Sequence, residues 1–227
     1  MKTFAAPISL VACFTSACLI LTAFVVKNGE TRAAEMPVLE KQVATPEDIV
    51  PNGWEILAQD SGDLNNDDAD DAVLILTHSN YEPDGPDTRR LLILLLRDGD
   101  HYQVSTVSGR AVLSRFSGGV YGDPYESLKI ERGTFYVSHY GGSAMRWGMK
   151  HRYRYQDGGW FLIGHTEYTF YRGELKEKDE NLVTGDIVER IGDEEGNTIS
   201  SKKTKVDPAP LIPLEKVDLY HIEEETE

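Results

Sequence analysis

From Trp54 to Val206 the apolar residues of this chain recur at every second position, in short runs broken by glycine turns. A period of two puts successive side chains on opposite faces of an extended strand, whereas a helix repeats at 3.6. The segment therefore reads as strands joined by tight turns. Residues 72–77 and 91–96 are continuous apolar runs, as expected of strands buried on both faces. Asp98-Gly99 separates the second of these from a strand over residues 102–107, which makes a hairpin. Pairing across Arg132-Gly133 puts Leu128, Ile130, Phe135 and Val137 on one face. Residues 146–155 and 160–171 form a long aromatic-rich hairpin around Asp157-Gly158. Residues 187–191 and 198–206 form a polar one around residues 193–197. About ten strands in sequential hairpins predict an all-β fold, a meandering antiparallel sheet closed as a sandwich or open barrel.

Four segments follow from the pattern. Residues 1–34 are a signal peptide or an N-terminal membrane anchor. Residues 35–50 are a linker with a short helix, which Thr45-Pro46-Glu47-Asp48 starts with a hydroxyl cap, proline at the first position and acids in the first turn. Residues 51–206 are the β domain, and residues 207–227 an acidic tail.

The N-terminal segment is marked by an apolar run over residues 5–26, preceded by Lys2 and followed by Lys27-Asn28-Gly29-Glu30. The run is long enough to span a bilayer and so to tether the protein to a membrane. Ala33 and Ala34 follow it, but Arg32 interrupts an Ala-x-Ala cleavage site, and both alternatives stand. Either predicts an extracytoplasmic protein, periplasmic or secreted. Both cysteines, Cys13 and Cys18, lie inside this run, so the exported part can hold no disulfide, cysteine–zinc site or thiol nucleophile. The formal charge of −15 repels phosphate backbones, which argues against nucleic acid as a partner.

The stretch from Asp63 to Asp71 carries five aspartates and two asparagines in nine residues and runs straight into the apolar residues 72–76. Calcium takes six to eight oxygen ligands, and a tight loop with alternate side chains turned inward supplies them. Asp63, Asn65 and Asp67 are the expected side-chain ligands, Ala69 gives its carbonyl, and Asp71 closes the site. The spacing argues against an EF-hand, because its twelfth position needs a bidentate glutamate and Leu74 stands there. The sixth position is Asp68, a residue that tolerates the left-handed region. The alternative is an Asx-rich turn that binds nothing.

This loop, followed by its apolar strand, resembles the calcium loop of FG-GAP (integrin α-like) and VCBS-type repeats. A wider resemblance rests on Pro51-Asn52-Gly53-Trp54, Gly62-Asp63-Leu64-Asn65, Gly118-Gly119-Val120-Tyr121-Gly122-Asp123-Pro124, His139-Tyr140-Gly141-Gly142-Ser143, Arg146-Trp147, Arg152-Tyr153-Arg154-Tyr155-Gln156 and Leu162-Ile163-Gly164. In these the chain is similar to a family of uncharacterised exported bacterial proteins. The resemblance implies export, a β fold and a single structural calcium loop.

No Walker A loop, dinucleotide fingerprint or His-Glu-x-x-His occurs. Gly141-Gly142-Ser143-Ala144-Met145 lacks the last glycine of a nucleophile elbow and reads as a strand-joining turn. His139, His151 and His165 fall on three strands that can be neighbours. Fourteen of the 21 aromatic residues lie between Phe116 and Tyr171, which makes this region either the sheet core or a ligand platform. The candidate ligand residues are His139, Tyr140, Arg146 and Trp147, which flank the Gly141-Gly142 turn. The expectation is an exported, non-catalytic binding or envelope-associated module whose partner is a glycan, a peptide or an envelope protein. The rival is a hydrolase of envelope polymers with a site among Asp123, His139, Tyr140 and Arg146. The two differ in whether those side chains converge in one pocket.

Overall fold

Three hairpins owe their register to two-residue turns in which both residues have positive φ, the geometry whose twist matches paired strands. They are Arg132-Gly133 (φ 53° and 68°), Asp157-Gly158 (52° and 76°) and Arg172-Gly173 (52° and 80°). In a fourth, Asp98 pairs with His101, so the turn residues are Gly99-Asp100 and not Asp98-Gly99. Glycine at the first central position (φ 63°) suits the other favoured two-residue turn.

The computed structural model describes residues 36–79 and 89–220, all within one unit, Arg32–Glu227. The expected signal or anchor segment lies outside the described residues. The fold is all-β, as the periodicity predicts. Its strands are β1 (Gln42–Val43), β2 (Trp54–Gly62), β3 (Asp71–His78), β4 (Leu91–Asp98), β5 (His101–Ser108), β6 (Tyr125–Glu131) and β7 (Thr134–Gly142). Then come β8 (Arg146–Gln156), β9 (Gly159–Tyr171), β10 (Glu174–Asn181), β11 (Asp186–Gly192), β12 (Thr198–Lys205) and β13 (Ile212–Pro213). The expected short helix is a single 3₁₀ turn, Pro46–Ile49, where the Thr45 amide donates to Asp48 Oδ2 at 2.9 Å.

Two antiparallel sheets face each other. One has the order β1-β5-β4-β3-β2; the other runs β12-β11-β10-β9-β8-β7-β6, with β13 added to β9. Between them lies the main core, with Val73, Ile75, Leu92 and Leu94 against Phe135, Val137, Tyr153 and Trp160. A second core covers the other face of the small sheet, where Leu74, Leu76, Ile93 and Leu95 pack under Val43 and Ile49. Strands β3 and β4 are thus apolar on both faces, which accounts for their unbroken runs. Each fully buried Leu or Ile contributes about 1.5–3 kcal/mol.

The sandwich closes at the β2–β6 edge, where the Ile130 amide donates to Asp60 Oδ2 at 2.7 Å. The opposite side is closed by the C-terminal segment, part of the stretch over residues 207–227 that the sequence sets apart as an acidic tail. Leu214, Val217 and Leu219 are buried in the main core, Arg110 pairs with Asp218, and the Tyr220 hydroxyl donates to the Val112 carbonyl at 3.2 Å. The linker also shortens, since Gln42 and Val43 pair with β5. Strands β10, β11 and β12 extend the large sheet as a wing that contributes no strand residue to either described core cluster.

Candidate functional site

Adjacent residues of a strand point to opposite faces, and this divides the four candidate ligand residues. In the β7–β8 register Tyr140 pairs with Gly148 and Gly142 with Arg146, while His139 pairs with Met149 and Gly141 with Trp147. Trp147 and Met149 pack on the main core and His139 is fully buried. Tyr140 and Arg146 lie on the outer face of the large sheet. The four residues therefore do not form one ligand surface, and His139 is not at the surface at all.

The outer face holds a ladder of rings. Gly148 pairs with Tyr168 of β9 as well as with Tyr140. A Cβ at residue 148 would lie 2.1 Å from the Tyr168 ring, so that ring occupies the space a side chain would take. Tyr168 and Tyr140 then stack with centroids 6.4 Å apart, and Tyr121 sets its edge against Tyr140 at 5.3 Å. Beside them the Arg146 guanidinium lies 4.1 Å over the Phe170 ring. Burial pushes the Tyr168 phenol up, and the nearby Glu126 charge adds to it, so the hydroxyl stays a neutral donor.

The loop carrying Tyr121 is held down through the main chain. The Gly142 amide donates to the Gly118 carbonyl at 2.9 Å, and the Val120 amide to the Gly142 carbonyl at 3.0 Å. This close approach requires bare backbone, since a Cβ at Gly141 would lie 2.8 Å from Gly118 Cα. The result displays Tyr121, Val120 and Met145 at 51, 83 and 53% exposure. Sequence reasoning missed Tyr121 and Tyr168 as partners of Tyr140, because neither is near it in the chain.

The inner face carries the histidines. His139, His151 and His165 come from neighbouring strands, and the rings of His151 and His165 are 6.0 Å apart. His139 Nε2 accepts from the Leu113 amide at 3.2 Å, and burial lowers its pKa to about 3. Burial lowers that of His151 to about 4. Nδ1 of each has no hydrogen-bond partner among the described residues. His165 Nε2 meets Glu180 Oε2 at 2.9 Å. Asp123 is spent elsewhere, on the fully buried Arg90. Partial burial alone raises its carboxyl, but the Arg90 hydrogen bond and charge outweigh that and hold it below its ordinary value. The side chains of the rival hydrolase site thus point into the core, onto the outer face and toward Arg90, and do not converge.

In the aspartate loop the left-handed residues are Asn66 (φ 63°) and Asp68 (φ 65°). Asp63 Oδ1 accepts from the amides of Asn66 (2.7 Å) and Asp67 (3.2 Å), and its Oδ2 from that of Asp68 (3.2 Å). Asn65 Oδ1 accepts from the Asp67 amide and Asp67 Oδ1 from the Ala69 amide. Asp71 behaves differently. It is fully buried, with Oδ2 accepting from the Leu64 amide at 3.0 Å and Oδ1 from the Arg97 amide at 2.9 Å. Burial raises its carboxyl and those two hydrogen bonds oppose the rise. The donor chemistry of Asp63, Asn65, Asp67 and the Ala69 carbonyl suits a hard cation, while Asp71 ties the loop to β4. Among the described residues no three acidic or imidazole side chains converge closely enough to enclose a metal.

No helix of the described residues is long and apolar enough to cross a membrane. Compared with known proteins, the chain matches no family model, no curated protein and no solved structure.

Proposed function

We propose that this protein is an exported, non-catalytic binding module that holds an envelope glycan or peptide on the tyrosine ladder of its large sheet. The observation that carries the reading is the alignment of Tyr121, Tyr140 and Tyr168 beside Arg146, on a backbone that cannot easily shift. Rigid aromatic rings offer large contact area at little entropic cost, and their hydroxyls and the guanidinium supply direction. The aspartate loop is a structural element in this reading and takes calcium through Asp63, Asn65, Asp67 and the Ala69 carbonyl, with Asp71 as its anchor. The crowding of five aspartates into nine residues supports a cation there. The apolar N-terminal run supports export, by cleavage or as a tether.

An untargeted glycan and peptide array tests the binding reading with wild-type protein and Tyr168→Ala side by side. A ligand retained by wild type and lost by the variant supports it; ligands bound equally by both contradict it. Melting with millimolar calcium and with chelator tests the loop. For a Kd near 10⁻⁴ M, calcium adds about 1.4 kcal/mol, and Asp67→Ala abolishes the difference.

A further inference from the structure

The inner face of the large sheet carries a trough beside the core. Cross-strand register puts Met149, Glu167, Lys178, Glu189 and Lys202 in one row from β8 to β12. The row next to it runs Trp147, Thr169, Lys176, Ile191 and Ser200. Two cavities, of about 510 and 570 Å³, lie over these rows and share Glu167, Tyr168 and Thr169, although the Tyr168 ring itself stands over Gly148 on the other face of the sheet. Each is within the size of small-ligand sites, roughly 300–1,000 Å³. The second is walled by Trp147 on one side and by Leu219 and Tyr220 of the C-terminal segment on the other.

Three features fix the chemistry of an occupant. Trp147 is a packed wall, its ring lying so close to Gly141 that a Cβ there would come within 2.6 Å of it. The lysines beyond it are each paired, Lys202 Nζ 3.6 Å from Glu189, Lys178 Nζ 2.6 Å from Glu180 and Lys176 Nζ 3.1 Å from Glu174, so the floor offers no unpaired cation to an anion. Finally, the indole N–H of Trp147 and the hydroxyl of Thr169 make no side-chain hydrogen bond among the described residues. Glu167 has only His165 Nε2, at 3.9 Å. Glu167 and Thr169 border the shared part of the two cavities, and Trp147 lines the second.

We infer that the trough is a second binding site, separate from the tyrosine ladder, and that it takes a short uncharged oligosaccharide. The apolar face of a sugar ring packs on the Trp147 indole. Neighbouring hydroxyls donate to the Glu167 carboxylate and accept from the Lys178 ammonium, bonds that a charged partner strengthens. An anionic saccharide would find each of these lysines already paired and would meet the Glu167 carboxylate.

The test is tryptophan fluorescence and calorimetry with maltotetraose, cellotetraose, xylotetraose and chitotetraose, and with tetragalacturonate as the anionic control. At least one neutral tetrasaccharide is expected to saturate, and tetragalacturonate is not. Glu167→Gln is expected to weaken that binding about tenfold or more, and Trp147→Phe to remove the fluorescence change. Tyr140→Ala, on the opposite face, is expected to leave it unchanged. Glu167 is half-exposed, so its variant keeps the fold even if Trp147→Phe loosens the core. The inference is overturned if no neutral tetrasaccharide binds, if Glu167→Gln binds like wild type, or if Tyr140→Ala abolishes the binding.

Discussion

Tyr140 and Tyr168 belong to strands that do not touch, yet their rings stack at 6.4 Å, because Gly148 on the strand between them has no side chain. The ladder is therefore a property of three strands at once. A Cβ at residue 148 would overlap the Tyr168 ring at 2.1 Å.

Gly148→Ala should accordingly lower stability by about 1–3 kcal/mol, as overpacking does. The double variant Gly148→Ala/Tyr168→Ala should recover part of that loss, since the clash is gone. Urea melts of the four proteins in the cycle give the coupling. Additive losses would show that Tyr168 does not fill the space over Gly148.

Asp71 makes a second prediction. Its two oxygens satisfy the amides of Leu64 and Arg97 from inside the protein. Asp71→Ala leaves both amides without that acceptor, at about 1–3 kcal/mol each. Asp71→Asn keeps one acceptor and turns an NH₂ toward the other amide, so it should fall between. These losses should persist in chelator, which distinguishes an anchor from a metal ligand.

Acid stability follows from the inner face. His139 and His151 titrate at about 3 and about 4 in the folded protein, against an ordinary 6.5. Lowered pKa values mean that the unfolded chain takes up these protons first. Stability is full above pH 6.5 and falls as the pH drops toward 4, each histidine costing about 1.4 kcal/mol per pH unit. The midpoint of urea unfolding between pH 7 and pH 4 measures this. His139→Gln/His151→Gln should flatten the slope, and an unchanged slope would assign it to other groups.

The N-terminal segment yields a prediction in cells. Residues 1–40 fused to a reporter active only outside the cytoplasm should give activity. Activity from a reporter that works only in the cytoplasm would refute export, and N-terminal sequencing of the mature protein separates cleavage near Ala33 from a retained anchor.

Much of the fold is legible in local pattern. Arg132-Gly133 and Asp157-Gly158 announce their hairpins, and the unbroken apolar runs of β3 and β4 announce burial on two faces. Strand β10 is not legible, because Glu174–Asn181 is almost wholly charged and polar and is held by pairing with β9 and β11. Nor is the return of Leu214, Val217 and Leu219 to the core, since their burial depends on a gap between sheets that no local spacing encodes. The candidate site was legible only in part. Period two already separates His139 from Tyr140 and Arg146 from Trp147. What it cannot show is which distant residue comes beside Tyr140, and that required the register through Gly148.

The central claim is that the tyrosine ladder binds and does not merely support the sheet. The most direct measurement is the affinity of Tyr140→Ala for the array-identified ligand, taken together with its melting temperature. Tyr140 is part-exposed, so the account predicts a melting temperature within a few degrees of wild type. It also predicts affinity reduced by about tenfold or more, the range of an aromatic anchor. Unchanged affinity, or unfolding in place of lost binding, would contradict it.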